Sequence, residues 1–292
     1  MPTAPYRPEL SNAGLSPTTL VDAVDEYGNV RELNVAAERP LTIYVDGFEI
    51  VTLMTLGTRP ELLALGYLKN QGLVSDLLDI QSVQVDWDVN AVAVTTRSGR
   101  DDWRNRLGPR IVTTGCGQGT VFGDIMEQLR KVRLDAPRLK QSSIYALLGN
   151  LNAHNEVYRS AGAVHGCALC SGNQVLIFVE DVGRHNAVDA IAGQMWIEGI
   201  RGADKLFYTT GRLTSEMVIK VAQMGVPVLL SRSGLTRMGL DLARELGVTL
   251  FSRTQGRHFL IYNGAENIEF DVELPPKLEV SNLKQRASRA PV

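Results

Sequence analysis

The stretch Gln174-Val-Leu-Ile-Phe-Val-Glu-Asp-Val-Gly-Arg-His-Asn-Ala-Val-Asp189 decides how this chain is read. An apolar, β-branched run ends at Glu180, and Asp181-Val-Gly-Arg184-His185-Asn186 leads directly into an apolar-periodic helix pattern. A short apolar run closed by a polar glycine turn reads as a buried strand, and a helix straight after it makes a strand–helix unit. Loops at the carboxyl ends of parallel strands are where α/β proteins place their chemistry. The acid, guanidinium, imidazole and amide crowded into this loop therefore mark a candidate site.

The same alternation runs outward from it. Helix is expected over 143–160, strand over 174–179, helix over 186–196, strand over 205–209 and helix over 215–224. Strand over 226–230, helix over 235–246 and two closing strands around Gly256 complete the series. Gly225 and Gly247 fall just past their helices, where a left-handed cap favours glycine. The pattern predicts an α/β domain over 139–276 with a mostly parallel sheet covered by helices.

Upstream, Leu41-Thr-Ile-Tyr-Val-Asp-Gly-Phe-Glu-Ile-Val51 reads as a hairpin turning at Asp46-Gly47. Arg59-Pro60-Glu61 opens a helix with proline in its first turn. Two further strands are expected near 83–88 and 91–96, so 22–138 is read as a small α+β domain. Residues 1–21, rich in Pro, Ser, Thr and Ala, are expected to form a disordered arm, and the basic stretch 277–292 a disordered tail.

If the strands are parallel neighbours, three loops arrive at one edge. They are Asp181 to Asn186, Thr209 to Ser215 with Ser215 expected as helix N-cap, and Ser231 to Thr236. Each sets a glycine, an arginine and hydroxyl or amide groups ahead of a helix, a combination suited to anionic oxygen ligands. Phe251-Ser252-Arg253-Thr254-Gln255-Gly256-Arg257 adds two arginines after the next strand. For any single loop, helix capping is the plainer explanation; three alike favour a phosphate-bearing ligand.

The 30 basic and 32 acidic residues nearly cancel, so bulk attraction to nucleic acid or to an anionic membrane is not expected. No apolar run approaches the roughly 20 residues of a membrane span, and no secretory signal pattern opens the chain. Three cysteines among 292 residues make no disulfide framework, which points to a reducing cytoplasm. Cys116 lies in Thr113-Thr-Gly-Cys-Gly-Gln-Gly-Thr120, where three glycines can cover nothing. It is either a small buried hydrophobe or an exposed thiol able to carry sulfur as a persulfide. His165-Gly-Cys167-Ala-Leu-Cys170 with His154-Asn-Glu156 mimics a zinc deaminase signature. The segment between the two halves is too short for that arrangement, and Gly166 stands where a proline belongs. Core packing of Cys167 and Cys170 is the reading adopted, with no metal site, and a zinc-dependent deaminase or hydrolase is kept as a rival.

Glu180-Asp-Val-Gly-Arg-His-Asn-Ala-Val-Asp189, Gly211-Arg-Leu-Thr-Ser-Glu-Met-Val218, Pro40 to Gly47, Glu61 to Leu68 and Gly162-Ala-Val-His165 together resemble the FdhD family over roughly 41–262. The resemblance implies a cytidine-deaminase-like mixed sheet covered by helices, and a tendency to form homodimers. It implies a sulfur carrier required for formate dehydrogenase activity. Members take sulfur from a cysteine desulfurase as a cysteine persulfide. They pass it to the molybdenum bis(molybdopterin guanine dinucleotide) cofactor before that cofactor enters the formate dehydrogenase apoenzyme. Cys116 falls at the family's persulfide position. Phe251, Ser252, Arg253, Thr254, Gln255 and Gly256 fall where the family contacts the guanine-nucleotide part of the ligand. Arg184, Arg212 and Arg253 would pair with phosphate oxygens, His185 and Asn186 would orient the loop or a ligand, and Ser215 would stand beside them at the start of its helix.

The sequence departs from the family pattern in three places. Cys116-Gly-Gln-Gly119 keeps one loop cysteine where two are common, Cys167 and Cys170 replace small residues, and Ser233-Gly-Leu-Thr236 replaces a Ser-Ala-Pro-Thr stretch. A non-catalytic chaperone for the cofactor or the apoenzyme is the second rival reading.

Overall fold

The computed structural model describes residues 6–99, 129 and 133–274. Strands β1 (Glu9–Leu10), β4 (Arg39–Val45), β5 (Phe48–Thr55), β6 (Ile80–Asp86) and β7 (Ala91–Thr96) form one sheet in the order β1-β6-β7-β4-β5. The β4–β5 turn is made by Asp46 and Gly47, both at positive φ, as a two-residue hairpin turn requires. Helix α1 (Pro60–Asn70) follows β5 and buries Leu63, Ala64, Leu65 and Leu68. The hairpin β2 (Thr18–Val24) and β3 (Val30–Ala36) forms its own two-stranded sheet, and β8 (Leu139–Lys140) pairs in parallel with β15 (Ile268–Glu269) in another.

Residues 6–21 correct the expectation of a disordered arm. β1 pairs in parallel with β6, and the Ser11 hydroxyl and the Ala13 N–H both donate to Glu61 Oε1, at 2.6 and 2.7 Å. Trp87 Nε1 donates to Ala13 O at 2.6 Å. The composition of the segment is loop-like, but a carboxylate 48 residues downstream of Ala13 fixes it.

Strands β9 (His165–Ser171), β10 (Gln174–Asp181), β11 (Leu206–Thr209), β12 (Val228–Ser231), β13 (Thr249–Gln255) and β14 (His258–Asn263) build the second sheet, in the order β10-β9-β11-β12-β13-β14. It is mixed: β11–β12 and β12–β13 are parallel, while β10–β9, β9–β11 and β13–β14 are antiparallel. The mostly parallel expectation is thus corrected by β9, whose sequence His-Gly-Cys-Ala-Leu-Cys-Ser shows no alternation. Because β9 runs against both neighbours, β10 still points the same way as β11, β12 and β13.

Alternate residues of this sheet enter two cores. Cys167, Leu169, Ile177, Val179, Phe207, Leu229 and Leu250 pack in a core shared with the first sheet. Helices α1, α4 (Arg184–Glu198), α5 (Ser215–Gln223) and α6 (Arg237–Leu246) complete that core. Ala168, Cys170, Leu206, Tyr208, Val228, Leu230 and Phe251 face α2 (Gln141–Leu151) on the other side. The single helix expected over 143–160 is in fact α2, a 3-10 turn at Asn152–His154 and α3 (Glu156–Ala161).

Helices α1 and α4 cross between the two sheets, backbone against backbone. A Cβ on Gly66 would lie 1.7 Å from Asp189 O, and one on Gly193 2.0 Å from Leu62 O. Beside the crossing, Lys220 Nζ sits 2.6 Å from Asp189 Oδ2, and Asn70 Nδ2 donates to Asp189 Oδ1 at 2.7 Å. Both members of the ion pair are essentially closed to solvent. Burial pushes the Asp189 carboxyl above its usual range, while the Lys220 charge and the hydrogen bonds pull the other way. One hydrophobic core therefore spans the segments read as two domains.

Candidate functional site

The common direction of β10, β11, β12 and β13 brings their terminal loops to one edge, and hydrogen bonds sew them together. Ser231 Oγ donates to Gly211 O at 2.6 Å and Arg232 N to Thr209 O at 3.1 Å. Leu213 N donates to Gly234 O, Thr236 N to Leu213 O and Arg253 N to Ser233 O, each at 3.0 Å. Gly211 lies against Arg184: a Cβ there would meet Arg184 Cδ at 2.5 Å, so a side chain would displace the arginine.

The first loop is held by its acids. Asp181 accepts from Thr55 Oγ1 at 2.5 Å, Leu56 N at 3.2 Å, Gly183 N at 3.1 Å and Asn186 Nδ2 at 2.9 Å. Burial raises its pKa, and these four hydrogen bonds work against the rise. Asn186 also donates to Met54 O at 2.6 Å. Glu180 accepts from the N–H groups of Val157 and Tyr158, each at 2.9 Å, where α3 begins. His185 is buried, with Nε2 3.3 Å from Glu216 Oε2. Glu180, Asp181, His185 and Asn186 therefore set the shape of the edge, and Arg184 is the group they present, as the first residue of α4.

The edge is cationic and centres on a residue outside the expected set. His165 opens β9 half-buried, its Nδ1 3.4 Å from Thr210 Oγ1, which also accepts from Gly166 N at 3.1 Å. Burial lowers its pKa, and the charges of Arg184, Arg212 and Arg232 lower it further, so all three guanidiniums act on one imidazole. Arg212, Arg232 and Arg253 are exposed. Among the described residues no carboxylate pairs with any of these three; Arg232 lies over the Tyr158 ring, 5.4 Å from its centroid. Arginines carried by adjoining loops raise a positive potential suited to anions. The sequence offered Arg232 in its loop and His165 beside the cysteines, but not their proximity, because 67 residues and a strand reversal separate them.

Other expected residues are placed differently. Thr214, not Ser215, holds the cap position of α5, with extended backbone (φ −90°, ψ 169°), and Ser215 is the first helical residue. Phe251 is fully buried against Phe259, ring centroids 5.4 Å apart, so its side chain supports the edge from the α2 core and cannot touch a ligand there. Ser252 and Thr254 are buried, while Arg253, Gln255 and Gly256 are exposed. Arg253 adopts φ +52°, a strained conformation for a residue with a side chain, at the irregularity between Ser252 and Gln255 in the β13–β14 ladder. The buried hydroxyls Thr214 Oγ1, Ser252 Oγ and Thr254 Oγ1 have no hydrogen-bond partner among the described residues. Cys116 and its glycines lie outside the described residues.

The cysteines of β9 point to opposite faces. Cys167 Sγ donates to Thr209 Oγ1 at 3.3 Å on the helix side, and Cys170 packs in the α2 core. Burial pushes both thiols up to about 12. Two thiols on opposite faces of one strand do not converge on a single ion, so the zinc rival loses its geometry. No described helix is long and apolar enough to cross a membrane.

Comparison with known proteins fits this architecture to a family. The FdhD/NarQ family model matches residues 36–269. A protein of Listeria monocytogenes named sulfur carrier protein FdhD is 31% identical over 248 residues, covering 83% of this chain and 95% of its own. The protein of that name in Bacillus subtilis is 27% identical, covering 83% of this chain and 94% of its own. A crystal structure from Desulfotalea psychrophila, provisionally described as a formate dehydrogenase accessory protein, superposes with TM-score 0.68 at 25% identity, covering 86% of this chain and 98% of that one. With the second sheet and all of the first except β1 inside the matched span, this chain belongs to the FdhD/NarQ family.

Proposed function

We propose that this protein is a sulfur carrier needed for formate dehydrogenase activity, as its relatives' names describe them. Cys116 is the sulfur-carrying residue. Its thiolate attacks the outer sulfur of a cysteine desulfurase persulfide; the donor's S–S bond breaks, the donor cysteine leaves as thiolate, and Cys116 becomes the persulfide. The substrate that receives this sulfur is the molybdenum bis(molybdopterin guanine dinucleotide) cofactor, destined for the formate dehydrogenase apoenzyme.

The observation that carries the reading is the edge where Arg184, Arg212 and Arg232 act on His165, with Arg253 on the neighbouring loop. A bulky ligand with two diphosphates needs such a fixed cationic surface, and a guanidinium pairs with phosphate oxygens in two-pronged geometry. Exposed Gln255 and Gly256 are the parts of the 251–256 segment free to meet a guanine. The cytidine-deaminase-like fold, cytoplasmic location and homodimer that the family resemblance implies belong to the same proposal.

Mass spectrometry after incubation with a cysteine desulfurase and cysteine tests it: one added sulfur is expected on Cys116 and none on the Cys116→Ala chain. Equal loading of both chains would remove Cys116 from the mechanism.

A further inference from the structure

The arginine edge holds an ionisable group that the sulfur-transfer scheme leaves unused. His165 begins β9 with Asp181 opposite it in the ladder, but the Asp181 carboxylate is already engaged by Thr55, Leu56, Gly183 and Asn186. Glu180, the next residue on β10, is spent on the α3 N–H groups. Glu216 of α5, half-buried, sits 3.3 Å from His185 Nε2, and its charge also interacts with Arg184. Thr210 offers the His165 imidazole a neutral hydroxyl at 3.4 Å, from the loop that carries Arg212, packs Gly211 against Arg184 and accepts from Arg232 N at Thr209 O, and the charges of these three arginines reach the imidazole. In a ring of cations a neutral imidazole is the stable form, and it can gain a proton once those charges are offset.

We infer that an anionic diphosphate bound at this edge is taken up together with one proton, held by His165. The inference rests on the cofactor cradle proposed above and adds a residue to it. Phosphate oxygens lying among Arg184, Arg212 and Arg232 supply the negative charge this imidazole lacks, and the imidazolium becomes a further donor to them. In the free protein burial first, and the three arginines next, hold His165 below the usual imidazole range. Anion binding reverses the arginines' part of that effect, so the bound-state pKa is the higher of the two. Proton uptake is then greatest between the two values. Affinity is full below the free-state pKa and falls as pH rises through the bound-state value, by at most about tenfold per pH unit for one proton.

The test uses guanosine diphosphate mannose, whose diphosphate is a diester and does not itself titrate across the histidine range of about pH 5 to 8. Titration calorimetry near pH 6, in two buffers of different ionisation enthalpy, reads the protons taken up per ligand. For the unaltered chain the expected value is a substantial fraction of one, with affinity declining toward pH 8. His165→Gln should keep its thermal midpoint and still bind, with no uptake and a flat pH profile, and Arg232→Gln should bind several-fold more weakly. Binding by the unaltered chain without uptake, or uptake that persists in His165→Gln, overturns the role of His165 and leaves the cradle standing. No binding by the unaltered chain at any pH overturns the cradle and this inference together.

Discussion

Substituting alanine at the crossing of α1 and α4 tests what joins the two sheets. A Cβ on Gly66 would lie 1.7 Å from Asp189 O, and one on Gly193 2.0 Å from Leu62 O, where ordinary contact begins near 3.4 Å. Both obstructing atoms are backbone, so no side chain can swing aside and the helices must part by about 1.5 Å, which costs at least the ~1–3 kcal/mol typical of overpacking. Parting them also loosens a core that includes Leu63, Leu65, Val188 and Ile191, and lengthens the Asn70–Asp189 hydrogen bond at the same junction. We expect Gly66→Ala and Gly193→Ala each to cost about 3 kcal/mol or more, read as a lower urea midpoint at unchanged slope. Gly149→Ala is the control: this glycine lies in α2 with nothing within 4 Å of its would-be Cβ. That change should stabilise by up to about 1 kcal/mol, the glycine-to-alanine difference in helix propensity. Midpoints for Gly66→Ala and Gly193→Ala that match the unaltered chain would refute the close crossing.

Two further outcomes follow from groups near the edge. Lys220→Met leaves the Asp189 carboxylate buried without its cation and should cost about 3–5 kcal/mol at pH 7. The variant's Asp189 pKa rises further above its unfolded value, so the deficit, followed by denaturant titration from pH 8 to pH 5, should shrink as pH falls; a pH-independent deficit would contradict it. Arg253→Gly relieves a positive φ and should hold or raise the thermal midpoint while weakening guanosine diphosphate mannose binding several-fold. A lower midpoint with unchanged binding would show that Arg253 serves the fold instead.

The edge was legible in the sequence because direction survives what local pattern misses. Each of β10, β11 and β12 ends in a glycine–arginine loop, and the overlooked β9, which lies between β10 and β11 in the sheet and runs against both, leaves those two strands pointing the same way. β9 itself was obscured because both its faces are buried, which removes the alternation that announces a strand. The arm at 6–21 was misread since its order comes from Glu61 and β6, both distant in sequence. The placement of the Phe251 ring was hidden for a related reason: the segment turns at the edge, while its aromatic ring faces the opposite core. His165 needed coordinates, because its environment is made by three side chains from three separate loops.

Helix α4 has Arg184 at one end and, further along, Gly193 pressed into α1. One rod thus carries an arginine of the second sheet's edge and the contact that fixes the first sheet's helix, so the position of that guanidinium is set by how closely the two helices seat.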